Sequence, residues 1–202
     1  MNILLVNSSP RQHQSCTYLL AQTIIQQLSK ESAVEVTETD ATKLPHLDAD
    51  YSMAVCSPGL MHDESNGSLA LSNQLISELI NADFVIIASP MHNYSLPSAL
   101  KSWVDHVVRA GRTFNISPTG KHGVLNDKPV YVLVSSGGRF SGKEAYQADF
   151  FTPYMKEVMT TIGLKNIQFF TIEGTVGSHE AVREKIESVQ NQVKYHLENA
   201  LV

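Results

Sequence analysis

Three uninterrupted apolar runs, Ile3-Leu4-Leu5-Val6, Phe84-Val85-Ile86-Ile87-Ala88 and Val130 to Val134, each end abruptly in a short polar loop. Apolar runs without alternation describe strands buried on both faces, which a parallel sheet covered by helices on each side requires. In such sheets ligands collect outside the carboxyl ends of the strands. The loops that follow, Ser8 to Ser15, Ser89 to Pro97 and Ser135 to Gly138, are therefore predicted to converge on one site.

The segments between these runs have helical length. Leu20, Ile24 and Leu28 recur at four-residue spacing and predict a helix over Ser15 to Leu28, and Val34-Glu35-Val36-Thr37 alternates as a second, edge strand. Asp40 to Gly67 holds Pro45, Pro58 and Gly59 without a sustained period, an excursion read as a lid or an oligomer contact. Helical pattern returns over Ser68 to Asn81. Pro97 suits the first turn of a helix running through Trp103 and Val107 to Gly111, after which Arg112 to Lys128 reads as irregular. Pro129 opens the fourth strand, Phe150 to Ile162 forms a helix closed by Gly163, Ile167 to Ile172 is a fifth strand, and His179 to Leu201 is an amphipathic terminal helix. Five strands and five helices in this order predict a flavodoxin-like α/β fold. It is a three-layer doubly wound five-stranded parallel sheet, order 2-1-3-4-5, forming one domain over residues 1–202.

Bulk properties remove several function classes. Fifteen Lys and Arg against 20 Asp and Glu give a net charge of -5 with no basic cluster, which lacks the footprint of a nucleic-acid binder. No stretch approaches the roughly 18 apolar residues of a membrane span, and the chain enters its first strand without a signal-like segment. Cys16 and Cys56 show no CxxC spacing, and none of the eight histidines forms an H-x-x-x-H pair, so no metal site is expected. A cytoplasmic protein fits these traits.

The loop chemistry narrows the ligand. Ser8 to Ser15 precedes a helix, whose free amides and dipole favour an anion. It lacks the G-x-x-x-x-G-K-[ST] and G-x-G-x-x-G patterns, so Ser9 and Ser15 are expected to hold a phosphate monoester by hydrogen bonds, the bland alternative being a serine-rich helix cap. Soft, aromatic and amide side chains between Pro90 and Pro97 suit a flat heteroatom-rich ring, and Ser135-Ser136-Gly137-Gly138 offers amides unshielded by a Cβ. A phosphate at one end and a flat ring between two loops describe a mononucleotide-like cofactor.

At these positions the chain resembles a known family. Ser8-Ser9 with His13-Gln14-Ser15, Pro90 to Tyr94, Leu100 to Trp103 running to Arg109-Ala110-Gly111-Arg112-Thr113-Phe114, Ser135 to Gly138 and Thr152-Pro153-Tyr154 look like the FMN-dependent NADH-azoreductases. These belong to the flavodoxin-like NAD(P)H:quinone oxidoreductases. The resemblance implies FMN phosphate contacts at Ser9, His13, Gln14 and Ser15, and isoalloxazine contacts at Met91, His92, Asn93, Tyr94, Ser135, Ser136, Gly137 and Gly138. The family usually has tyrosine where this chain has His92, and it presents aromatic side chains to the substrate near Ile116 and Thr161.

The implied activity is a ping-pong, two-electron transfer from NADH through FMN to quinones or azo compounds in a cytoplasmic homodimer, with the chemistry carried by the flavin and no essential nucleophile. A flavodoxin-type FMN electron carrier, or a flavin-binding redox regulator, is the competing class. Carriers are strongly acidic and use a T-x-T-G-type phosphate loop, and this chain has neither trait.

Overall fold

The computed structural model describes residues 1–56 and 67–200. In chain order its elements are β1 (Asn2–Asn7), α1 (Cys16–Leu28), β2 (Glu35–Asp40), α2 (Ala49–Cys56), α3 (Ala70–Asn81) and β3 (Phe84–Pro90). There follow α4 (Ser98–Val107), β4 (Phe114–Ser117), β5 (Gly120–Gly123), β6 (Val130–Ser136), α5 (Thr152–Ile162), β7 (Ile167–Glu173) and α6 (His179–Ala200). Strands β2-β1-β3-β6-β7 form one parallel sheet, while β4 and β5 form a separate antiparallel pair. Counted within the sheet alone, the order is the expected 2-1-3-4-5.

Side-chain alternation along the central strands sorts their apolar residues to opposite faces. Leu4, Val6, Val85, Ile87, Val130, Val132 and Val134 join the core under α3, α4 and α5, whereas Ile3, Leu5, Phe84, Ile86 and Leu133 join a second core under α1 and α6. Each fully buried Leu, Ile or Val side chain contributes about 1.5–3 kcal/mol of transfer free energy. Central strands read as apolar runs for this reason, and β2, at the sheet edge, does not: four of its six residues are exposed. Trp103 and Val107 are both fully buried core residues of α4, and Val189 and Val193 of α6 are buried as their spacing requires.

Three segments depart from the sequence reading. The Asp40 to Gly67 excursion contains a helix of its own, α2, whose Tyr51 is buried; Pro58 and Gly59 lie outside the described residues, as does Leu201. The helix beginning after Pro97 stops at Val107, short of Gly111. Thr113 Oγ1 donates to Val107 O at 2.7 Å and accepts from Arg109 N at 3.0 Å, so one hydroxyl replaces the next helical rungs. The stretch read as irregular holds an antiparallel hairpin, with Phe114 opposite Gly123 and Ser117 opposite Gly120. Gly163, at φ 106°, ends α5 as expected, and the hairpin is pressed against it. A Cβ on Gly163 would lie 2.6 Å from Leu125 O, and one on Gly123 would overlap the Gly163 backbone.

Trp103 has 0% exposure, and its indole N–H has no acceptor among the described residues. Trp103→Ala should therefore cost roughly 3–5 kcal/mol in urea unfolding, whereas Trp103→Phe should cost much less, since it removes the unpaired donor while keeping an aromatic ring.

Candidate functional site

The three predicted loops meet at the carboxyl edge of the sheet because the ladders of β1, β3 and β6 continue into them. Ser8 N donates to Ala88 O at 3.0 Å, joining the first loop to β3, and Met91 N donates to Ser135 O at 2.7 Å, joining the second loop to the third. A cavity of about 310 Å³ opens between the first two loops and the start of α4, lined by Ser8, Pro10, Thr42, His92, Ser98 and Ser102 among others. Among the described residues, the non-glycine positions with positive φ are Gln12 (49°), Asn93 (48°) and Tyr94 (71°), all within these loops. Left-handed backbone at such residues costs on the order of 1–3 kcal/mol each and concentrates at functional sites.

Ser15 is the N-cap of α1, and its Oγ accepts from Tyr18 N at 3.1 Å. The bland cap reading is therefore correct as far as it goes. The first-turn amides of α1 at Cys16 and Thr17 have no intrahelical acceptor, so the cap leaves donors for an anion. Ser9 is 2% exposed, its amide donates to Asn7 Oδ1 at 3.2 Å and its Oγ accepts from Arg11 N at 3.3 Å. The strained Gln12 is pinned from outside: its Nε2 donates to Asp40 Oδ1 at 3.1 Å and Thr42 Oγ1 at 2.9 Å. Burial alone would raise the Asp40 carboxyl, but hydrogen bonds from Thr42, Gln12 and Lys43 outweigh it and hold the pKa at about 2. Gln14 is exposed. The His13 ring stacks on Tyr18 at 4.4 Å, with Nε2 3.5 Å from Glu38, so its imidazole is engaged along the β2 edge.

In the second loop Met91 is buried and His92, Asn93 and Tyr94 are exposed, with His92 and Ser95 exchanging both backbone hydrogen bonds in a tight turn. In the third, the two glycines are not equally bare. Gly137 is exposed, but the Gly138 amide donates to Ser136 Oγ at 3.3 Å. A Cβ at Gly137 would lie 2.7 Å from Cγ2 of the exposed Val176, which can move aside, whereas one at Gly138 would overlap the Gln147 carboxamide, which hydrogen bonds hold in place. Ser135 is half-buried and Ser136 buried.

Ile116 and Thr161 lie apart from these loops. Thr161 lines an 850 Å³ cleft formed by α2, α4, α5 and the hairpin, with Tyr51, Arg109, Phe114 and Lys121 on its walls; Ile116 projects from β4 at 73% exposure. Arg109 is 2% exposed and donates to Ser72 Oγ at 2.8 Å and to Asn73 Oδ1, and burial pushes its pKa down. Beside it, the buried His106 holds the α2 segment to α4. Since a carbonyl only accepts, Nε2 carries the proton in its 3.2 Å bond to Pro45 O, and the buried Nδ1 has no partner among the described residues.

Two anchors were missed by sequence reasoning. Glu173, the last residue of β7, accepts from Phe140 N at 2.8 Å and Ser141 Oγ at 2.5 Å and so fixes the chain leaving the third loop. A carboxylate ending an apolar strand at the carboxyl edge was a readable signal. Gln147, whose Nε2 donates to Ser136 Oγ at 3.1 Å, sits in a loop with no local pattern to mark it.

Residues 1–197 match the Flavodoxin_2 family, described as having a flavodoxin-like fold. The chain is 42% identical over 193 residues to FMN-dependent NADH:quinone oxidoreductase 4 of Pseudomonas fluorescens, covering 94% of this chain and 92% of that one. It is 40% identical over 184 residues to FMN-dependent NADH:quinone oxidoreductase 5 of Burkholderia lata, covering 90% and 89%. In fold it is similar to an FMN-dependent NADH-azoreductase from Bacillus anthracis solved in complex with FMN, with a TM-score of 0.84, 19% identity and 99% of each chain covered.

Burial, against the opposing pull of the Pro45 hydrogen bond and of Asp105 and Asp48, holds the His106 pKa below its ordinary 6.5. The folded chain then binds fewer protons than the unfolded chain just below pH 6.5, so stability should fall as pH drops from 6.5 toward the folded pKa. Urea midpoints measured from pH 8 down to pH 5 should show this decline, and His106→Gln should flatten it.

Proposed function

The chain belongs to the flavodoxin-like family of FMN-dependent NADH:quinone oxidoreductases, and on that footing we propose that it is one. It transfers two electrons from NADH through FMN to quinones, with azo compounds as further acceptors. One observation carries the placement of the cofactor: among the described residues, the non-glycine positions with positive φ gather in the first two of three loops that the sheet ladder ties together at its switch point.

The residues fit FMN. A phosphate matches the unfilled first-turn amides of α1 beside Ser9 and Ser15, with His13 and Gln14 on the same loop. A flat ring matches the space between Met91-His92-Asn93-Tyr94 and Ser135-Ser136-Gly137-Gly138, where Gly138 is crowded by Gln147 and Gly137 is exposed to a ligand. When bound, FMN would supply the redox chemistry, a two-electron exchange between NADH and an acceptor. The chain itself supplies binding, orientation and exclusion of water, and no side chain acts as a nucleophile. Tyr94, Tyr146 and Phe150 are 52%, 72% and 61% exposed and form an aromatic rim suited to flat acceptors, and Phe150 N donates to Tyr94 O at 3.1 Å, which joins two of them.

We extend the proposal to the assembly. The chain acts as one FMN-binding domain over residues 1–202 and pairs with a second copy through the cleft bearing Thr161, where the exposed Ile116 and Met53 give the hairpin and α2 an apolar face. A cytoplasmic location accords with two free thiols, Cys16 and Cys56, and among the described residues no helix is long and apolar enough to cross a membrane.

Anaerobic NADH should bleach the absorbance of the FMN-loaded protein within seconds, and benzoquinone should restore it; FMN that binds yet stays oxidised would mark an electron carrier instead. Gly138→Val should weaken FMN binding by about tenfold or more in a fluorescence titration, and an unchanged affinity would remove the third loop from the site. Sedimentation should give a mass twice that of the chain.

A further inference from the structure

The loop running from Arg139 to Phe150 returns over the crevice between the second and third loops, and one side chain fastens it there. The Gln147 amide N donates to Arg139 O at 3.2 Å, which folds this loop back on its own first residue, next to Gly138. Its Nε2 donates to Ser136 Oγ at 3.1 Å and faces Met91 Sδ at 3.4 Å. Ser136 Oγ also accepts from Gly138 N at 3.3 Å, and a Cβ on Gly138 would overlap the Gln147 Oε1. One carboxamide therefore touches both walls of the crevice and a glycine at its end, and the sulfur it faces, on Met91, is buried.

From this juxtaposition we infer that Gln147 is the positioning residue that sets the width of the flavin crevice, by tying Met91 on one wall to Ser136 on the other. The inference rests on the reading that FMN occupies this crevice, and it goes beyond that reading in two respects. It assigns the glycine requirement at position 138 to the packing of Gln147 and not to contact with a ring. It also makes the electronic surroundings of the flavin depend on a side chain outside the three loops that hold it. A thioether accepts hydrogen bonds weakly, so the Ser136 bond supplies most of the hold, and the contact with Met91 sets spacing. Gln147 is half-buried with its polar end against Ser136 and Met91, so a charge placed there acts on the two loops at short range.

Two variants test this on FMN-loaded and apo protein. Gln147→Ala should raise the FMN dissociation constant about tenfold in a fluorescence titration while the apoprotein melts within a few degrees of wild type. In the Gln147→Ala background Gly138→Ala should cost no further affinity, although it does in wild type, because the group that crowds position 138 is gone. Gln147→Glu keeps the shape, and Ser136 can donate to the new carboxylate; it should regain most of the affinity and shift the midpoint potential of the bound flavin to more negative values. Wild-type affinity in Gln147→Ala, or an unshifted potential in Gln147→Glu, overturns the assignment. A wild-type protein that binds no FMN overturns the flavin reading and this assignment together.

Discussion

The hydrogen bond from Met91 N to Ser135 O, at 2.7 Å, is the last rung between β3 and β6 and the one on which the site depends. It carries the regular spacing of a parallel ladder one step beyond the end of β3, so the second and third loops leave the sheet at a fixed separation. The rung from Ser8 N to Ala88 O ties the start of the first loop to β3 in the same way. Loop geometry that would otherwise drift is thereby referred to two buried cores, one on each face of the sheet. Strained backbone at Gln12, Asn93 and Tyr94 persists because such a rigid base, with external bonds from Asp40 and Thr42, over-determines it.

Much of this was legible beforehand because strands buried on both faces leave a mark that no other element leaves. Ile3 to Val6, Phe84 to Ala88 and Val130 to Val134 could be placed centrally, and the polar loops after them followed from topology. Where packing is one-sided, the mark fades. Gly120 to Gly123 is fully exposed and carries no apolar residue, so the hairpin had no period to read. The end of α4 was hidden for a different reason: Arg109 and Ala110 continue an acceptable helical sequence, and it is a single hydroxyl, Thr113, that captures Val107 O. Gln147 could not be found from its neighbours, since its significance lies in Ser136 and Met91, which are 11 and 56 positions away.

Two regions of the molecule divide the polar chemistry between them. The loops carry backbone donors and neutral hydroxyls, suited to holding a ligand without a fixed countercharge. The second region, along α4, buries a cation and an imidazole: Arg109 rests on neutral acceptors, Ser72 and Asn73, and His106 clasps Pro45. Burial disfavours the charged form of each; the guanidinium stays charged all the same, whereas the imidazole that holds Pro45 ahead of α2 is kept neutral more readily by its packing.

The contact between Gly123 and the Gly163 backbone has an evolutionary consequence. Most crowded pairs can drift together, one side chain shrinking as its neighbour grows. Here the obstructing atoms are peptide nitrogen, carbonyl and Cα, which no substitution removes. Gly163 is doubly bound, since its φ of 106° is also one that other residues rarely adopt. These two positions are therefore expected to stay fixed while the surface around them diversifies, and loop insertions between the hairpin and α5 must pivot about that point.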